Sequence, residues 1–177
     1  MKRKALAITL AAVMAMGTCA VTASAADGDK YTIGICQLVQ HEALDAATQG
    51  FKDEVTKELG EDAVTFDEQN AQGDSNTCST IINSFVSNNV DLILANATPA
   101  LQAAAAGTSD IPILGTSVTE YGVALGLDDF DGTVGGNISG TADLAPLDQQ
   151  AAMLNELFPD AKNVGLLYCS AEANSQY

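Results

Sequence analysis

Arginine is missing from all but the first few positions. Arg3 is the only one in the 177-residue chain, and after residue 25 the bases are four lysines, Lys30, Lys52, Lys57 and Lys162, against 23 acids. The formal net charge is −16 overall and −19 for residues 26–177. Phosphate backbones are bound by Lys and Arg that replace counterions, so nucleic acid is excluded as a partner. An anionic membrane surface is excluded by the same sign of charge. The bidentate guanidinium clamp for carboxylates is lost as well. An anionic group on a ligand must instead meet backbone N–H groups at helix N-termini, or Ser and Thr hydroxyls.

Histidine is equally scarce. His41 is the sole one, with Asp45 one helical turn on; two ligands fall short of the three or more that a metal site needs, and no Cys-x-x-Cys spacing suggests zinc. Neither a G-x-G-x-x-G nor a GK[ST] phosphate loop is present, and no G-x-S-x-G marks a nucleophile. The acidic run Asp128–Asp131 lacks the downstream Glu of a calcium loop and reads as a solvated turn. The pattern therefore implies no cofactor, no metal and no enzyme. Beyond the leader three cysteines remain, Cys36, Cys78 and Cys169; an odd number does not make a disulfide framework, and buried free thiols are expected.

What is present begins with a leader. Lys2, Arg3 and Lys4 precede an apolar run to Val21, and Ala23-Ser24-Ala25 supplies a small-residue cleavage signal. This predicts a signal peptide over residues 1–25 and an exported, extracytoplasmic protein, periplasmic or at the cell surface. The run is too short for a membrane span. Met16-Gly17-Thr18 before Cys19 offers a second reading, a lipoprotein anchored through that cysteine.

Strand-like and helix-like segments then alternate. Strands are expected at Tyr31–Cys36, Ala63–Phe66, Val90–Ala95 and Ile111–Thr116, with a fifth at Val123–Leu125. Helices are expected at Glu42–Leu59, at Thr77–Val86, and from Pro99 onward with Thr98 as its N-cap. This order predicts an α/β fold, a parallel sheet with helices on both faces. Such a sheet binds ligands beyond the carboxyl ends of its strands, where strand order reverses. For the order 2-1-3-4-5 the crevice lies between the first and third strands, facing Gln37–Asp45 and Asn96–Pro99. Residues 26–136 form the first lobe and residues 137–145 a glycine-rich hinge or crossover. Residues 146–177, with a helix at Pro146–Phe158 and a strand at Val164–Cys169, open a second lobe that is otherwise missing, as in a truncated product.

The segment Ile33 to Asp45, followed by Gln49-Gly50-Phe51, resembles the opening of a family of ABC-transporter substrate-binding proteins. Further motifs match in order: Asn96–Ala100, Ile113–Thr119, Asn137–Asp143, and Val164–Tyr168 followed by Glu172–Ser175. The resemblance implies a type I periplasmic-binding-protein fold, in which two lobes close on an amino acid, notably an aromatic one, and deliver it to a membrane permease of an importer. An extracytoplasmic sensing domain of a signalling protein is the alternative on the same fold. Strand ends and matched motifs together nominate Gln37, His41, Asp45, Thr98, Ser117, Ser139, Thr141, Glu172 and Asn174 as ligand-binding positions. Asp45, Asp143 and Glu172 are the acids available for a ligand ammonium group, and the sequence does not choose among them.

Overall fold

The structure, a computed structural model, describes residues 30–170 and Ser175. The expected leader, its cleavage signal and Cys19 lie outside these residues, as do Glu172 and Asn174. Five strands form one parallel sheet in the order β2-β1-β3-β4-β5: β1 Tyr31–Gln37, β2 Val64–Asn70, β3 Leu92–Asn96, β4 Ile113–Val118 and β5 Ile138–Ala142. The order reverses between β1 and β3, whose register pairs Gln37 with Asn96 at their carboxyl ends.

Side-chain alternation along β1 sorts the two faces. Ile33 and Ile35 point to helix α1 (Glu42–Leu59) and share a small core with Leu94, Phe51 and Val55. Cys36 belongs to the larger core, where α2 (Ser75–Ser87) and α3 (Thr98–Gly107) pack with Ile82, Phe85, Leu101 and Ile113. Gly34 faces that core too, because a Cβ there would stand 2.6 Å from the Phe85 ring. Cys36 and Cys78 are buried free thiols. The hydrogen bond between them, with burial, keeps the Cys36 thiol protonated far above the ordinary thiol range. Cys169 departs from the expectation of burial and is exposed.

The helices start where the chain offers acceptors. His41 Nδ1 accepts from the N–H of Ala43 at 3.2 Å to cap α1, and Asp74 accepts from Thr77 at 2.7 Å to cap α2. Its hydrogen bonds with Thr77 hold the Asp74 carboxyl below its usual range.

Four expectations need correction. Val123–Leu125 is not a strand but the end of helix α4 (Tyr121–Leu125). Glu120 caps it by accepting from Gly122 at 2.8 Å and Val123 at 2.6 Å, and Gly126 closes it in the left-handed conformation at φ 64°. The fifth strand is instead Ile138–Ala142, within the segment expected to be the hinge. The N-cap of α3 is Ala97 rather than Thr98, which is the first helical residue. Val164–Cys169 does not join the sheet. Leu166 and Leu167 are almost fully exposed there, because no neighbouring strand among the described residues offers them a face to pack on. Helix α5 (Leu147–Leu157) likewise has no buried residue.

Candidate functional site

Loops at the strand carboxyl ends enclose a cleft of about 330 Å³. The β1–α1 loop and first turn bring Leu38, Val39, His41 and Leu44 to it. The β3–α3 turn contributes Ala97, Thr98 and Pro99, and the β4–α4 loop Ser117 and Thr119. Asp143 follows directly after β5. Three other depressions are larger: two of about 440 Å³, one beside Phe130 and Val134 and one on the open sheet face beside Phe51 and Leu114, and one of about 410 Å³ along α1 beside Val55 and Leu59. None of them includes a residue with a buried, unpartnered side-chain oxygen. Such oxygens occur on Thr98 and Asn96, and Thr98 lines the cleft at the strand ends.

The β3–α3 turn explains why. Ala97 is held at φ 91° and ψ 157°, a region that essentially only glycine occupies without strain of about 1–3 kcal/mol. Its N–H donates to Thr116 O at 3.0 Å, and its carbonyl accepts from Leu101 at 3.1 Å. No side chain caps α3. Pro99 has no N–H, so the free donors of this first turn are the N–H groups of Thr98 and Ala100. The Thr98 hydroxyl stands beside them in a residue that is 2% exposed. The positive end of a helix with unused donors is suited to an anionic group.

Ser117 reaches the cleft through an irregularity in β4. Between the pairs Gly115–Gly140 and Val118–Ala142, β4 holds one more residue than β5, and Ser117 takes the left-handed conformation at φ 54°. A bulge of this kind re-aims a side chain at the end of a strand.

Gln37 and Asp45 are placed differently from the expectation that they face the ligand. Gln37 is buried, and its Nε2 donates to Asp45 Oδ1 at 2.6 Å and to Val39 O at 2.9 Å. Its Oε1 accepts from the Thr48 hydroxyl at 2.7 Å. Asn96 Nδ2 in turn donates to Leu44 O at 2.8 Å and Thr48 Oγ1 at 2.9 Å. This network ties the first turns of α1 to the ends of β1 and β3, so these residues hold the walls of the cleft rather than line it. Ser139 and Thr141 are not brought to the cleft either. Alternation along β5 turns them to the α1 face, where Thr141 Oγ1 lies 3.4 Å from Thr116 Oγ1.

Sequence reasoning did not name Thr48 or Thr119 as site residues, and it placed Asn96 only in a loop facing the crevice. Thr48 carried a faint signal, a polar residue on the apolar stripe of α1. Thr119 lay in a matched motif but outside the predicted strand. Among the described residues no three His, Cys, Asp or Glu side chains converge as metal ligands. No helix among them is long and apolar enough to cross a membrane.

This arrangement has known counterparts. Residues 32–177 match the family described as ABC transporter substrate binding protein. A tyrosine-binding protein of Clostridioides difficile (strain R20291) is 43% identical over 148 residues, which are 81% of this chain and 42% of that protein. The crystal structure of an ABC domain from Streptococcus pneumonia in complex with L-Trp is 34% identical, with a TM-score of 0.77 over 84% of this chain and 50% of that one. A ligand-free, open substrate binding protein with adhesive properties from Clostridium difficile is 42% identical, with a TM-score of 0.66 over 82% of this chain and 50% of that one. The chain spans about half the length of the relatives it matches, and its parallel α/β sheet has the fold of their corresponding half. With the family match running from β1 to its last residue, the chain belongs to the ABC transporter substrate-binding proteins.

Proposed function

We propose that this chain forms the first ligand-binding lobe of an exported solute-binding protein, one that captures an amino acid, aromatic by preference, and passes it to the permease of an ABC importer. The observation that carries this reading is the uncapped N-terminus of α3, opening on the cleft with the buried, unpartnered Thr98 hydroxyl beside it. A carboxylate supplies the acceptor that these donors lack, and residues 26–177 hold no arginine to clamp one instead. The named ligands of two relatives, tyrosine and L-Trp, are amino acids.

A second lobe completes the site in this reading. The first lobe runs through β5, and the crossover starts at Asp143. The exposed apolar residues beyond it, Leu154, Leu157, Phe158, Leu166 and Leu167, belong to the packing of that second lobe. Closure of two lobes buries most of a small ligand, so this chain by itself binds more weakly than a two-lobed version. Calorimetry of both with tryptophan, tyrosine, phenylalanine and a set of aliphatic and charged amino acids tests the reading. Tighter binding of aromatic amino acids, strengthened by the second lobe, is expected. Equal affinities at the two lengths would place the whole site in the first lobe, and no binding by either would refute the reading.

A further inference from the structure

Cys36 and Cys78 meet inside the larger core. Alternation along β1 turns Cys36 toward α2, and Cys78 is the fourth residue of α2, on its buried face. Both residues are fully buried, and their thiols are hydrogen-bonded to each other. Backbone bonds hold the two elements in this register. The N–H of Ala71 donates to Gln37 O and that of Gly73 to Leu38 O, each at 2.8 Å, so the loop leading into α2 is laced to the end of β1. The N–H of Cys78 then donates to Asp74 O at 3.1 Å, which sets it one turn into the helix. Two sulfurs held in contact on facing elements have the arrangement a disulfide requires. The remaining cysteine of the three, Cys169, is exposed.

We propose that Cys36 and Cys78 are joined by a disulfide in the exported chain, pinning α2 to the end of β1. This rests on the exported reading above, which supplies a compartment where disulfides persist. Two successive exchanges with a disulfide donor, oxidised glutathione or a protein disulfide, make the bond. The thiolate of one cysteine attacks the donor, forming a mixed disulfide and releasing one donor thiolate. The thiolate of the other attacks the cysteine sulfur of that mixed disulfide and releases the second. The two cysteines together lose two protons and two electrons, and the donor leaves as two thiols. Burial of both sulfurs confines the exchange to the chain before its core has closed, and afterwards shields the bond from reductants. The closed loop contains the β1–α1 loop, α1 and β2, so the cross-link secures the segment that builds one wall of the cleft.

The lysines place the cysteines on separate tryptic peptides: Cys36 on 31–52, Cys78 on 58–162 and Cys169 on 163–177. The chain is refolded from denaturant in a mixture of reduced and oxidised glutathione, or in dithiothreitol, then alkylated, digested and read by mass spectrometry. After the glutathione refolding, peptides 31–52 and 58–162 are expected to be linked, with Cys169 alkylated or glutathionylated. Cys169→Ser should link them equally well. The linked chain should melt about 5–10 °C above the dithiol form, and should keep its bond in dithiothreitol until denaturant is added. Alkylated Cys36 and Cys78 after glutathione refolding, links chiefly to Cys169, or a linked chain that melts below the dithiol form would each overturn the proposal. The chain taken from producing cells and alkylated at lysis separates the disulfide from export. Loss of peptide 5–30 together with the link is expected. Loss of that peptide with both thiols alkylated would overturn the proposal. An intact peptide 5–30 would refute export, and the refolding result would then decide the pair.

Discussion

The side-chain amide of Asn96, at the end of β3, donates to the backbone carbonyl of Leu44, in the first turn of α1, at 2.8 Å. That bond and the Thr48 hydroxyl join two walls of the cleft that are far apart in sequence. Thr48 bridges Gln37 and Asn96, and all three are buried. Removing one member leaves polar atoms without partners in a dry setting, which costs about 1–3 kcal/mol. Thr48→Val is nearly isosteric but has no hydroxyl and should destabilise the chain by that amount. Thr48→Ser, which keeps the hydroxyl, should lose much less. Denaturant unfolding of the two variants checks this, and equal losses would show that the methyl group matters rather than the hydrogen bonds.

Gly34 and Phe85 make a packing prediction. A Cβ on residue 34 would stand 2.6 Å from the Phe85 ring, which is fully buried. Gly34→Ala must displace that ring and is expected to destabilise by about 1–3 kcal/mol, as overpacking does. Phe85→Ala should cost about 3–5 kcal/mol through the cavity it leaves. In the double variant the space left by the ring accommodates the new methyl group, so its loss should be smaller than the sum of the single losses. Strict additivity would contradict the contact.

Asp74 links stability to pH. The N–H and hydroxyl of Thr77 hold its carboxyl below the usual range. A folded value below the unfolded one means that the contribution is present above the unfolded value and is lost as pH falls through the folded one. The melting temperature should therefore fall on acidification below the ordinary carboxylate range. Asp74→Ala should lower it near neutral pH and flatten that part of the profile. An unchanged profile would mean that the cap adds nothing to α2.

In the cleft the neutral donors should matter more than the histidine. Thr98→Ala and Ser117→Ala each remove a hydroxyl from the wall expected to meet a carboxylate, and each should weaken amino-acid binding by about 1–3 kcal/mol. His41 Nδ1 is engaged in capping α1, and Asn is itself a favoured N-cap, so His41→Asn should lose less. Calorimetry with tryptophan ranks the three. Abolished binding in His41→Asn with normal binding in the other two would move the carboxylate to the β1–α1 loop.

Much of the fold is legible in the sequence because buried parallel strands and amphipathic helices carry strong patterns. Ile33 and Ile35 in β1, and Ile81, Ile82 and Phe85 in α2, declare their faces by spacing alone. The edge strands are harder. The latter half of β2 is Asp67-Glu68-Gln69-Asn70, and β5 is Ile138-Ser139-Gly140-Thr141-Ala142. Neither has an apolar stripe, since an edge strand is held by its ladder and half exposed to water. Helix α4 reads as a strand because five residues are too few to display a helical period, and its cap, Glu120, is not one of the common N-cap residues. The position of the crevice follows from strand order alone. Which side chains line it does not. Gln37 and Asp45 belong to the right loops, but hydrogen bonds to one another turn them inward, and pairing of that kind is settled only when β1, α1 and β3 come together.

In the proposed site an amino-acid carboxylate docks at the N-terminus of α3. A titration of the isotopically labelled chain with L-tryptophan, followed by amide resonances in NMR, tests it most directly. The largest shifts are expected on Thr98, Ala100, Ser117 and Thr119, and Thr98→Ala should diminish them. Shifts centred instead on Phe130–Ile138, or on Phe51 and Leu114 across the open face of the sheet, would contradict it.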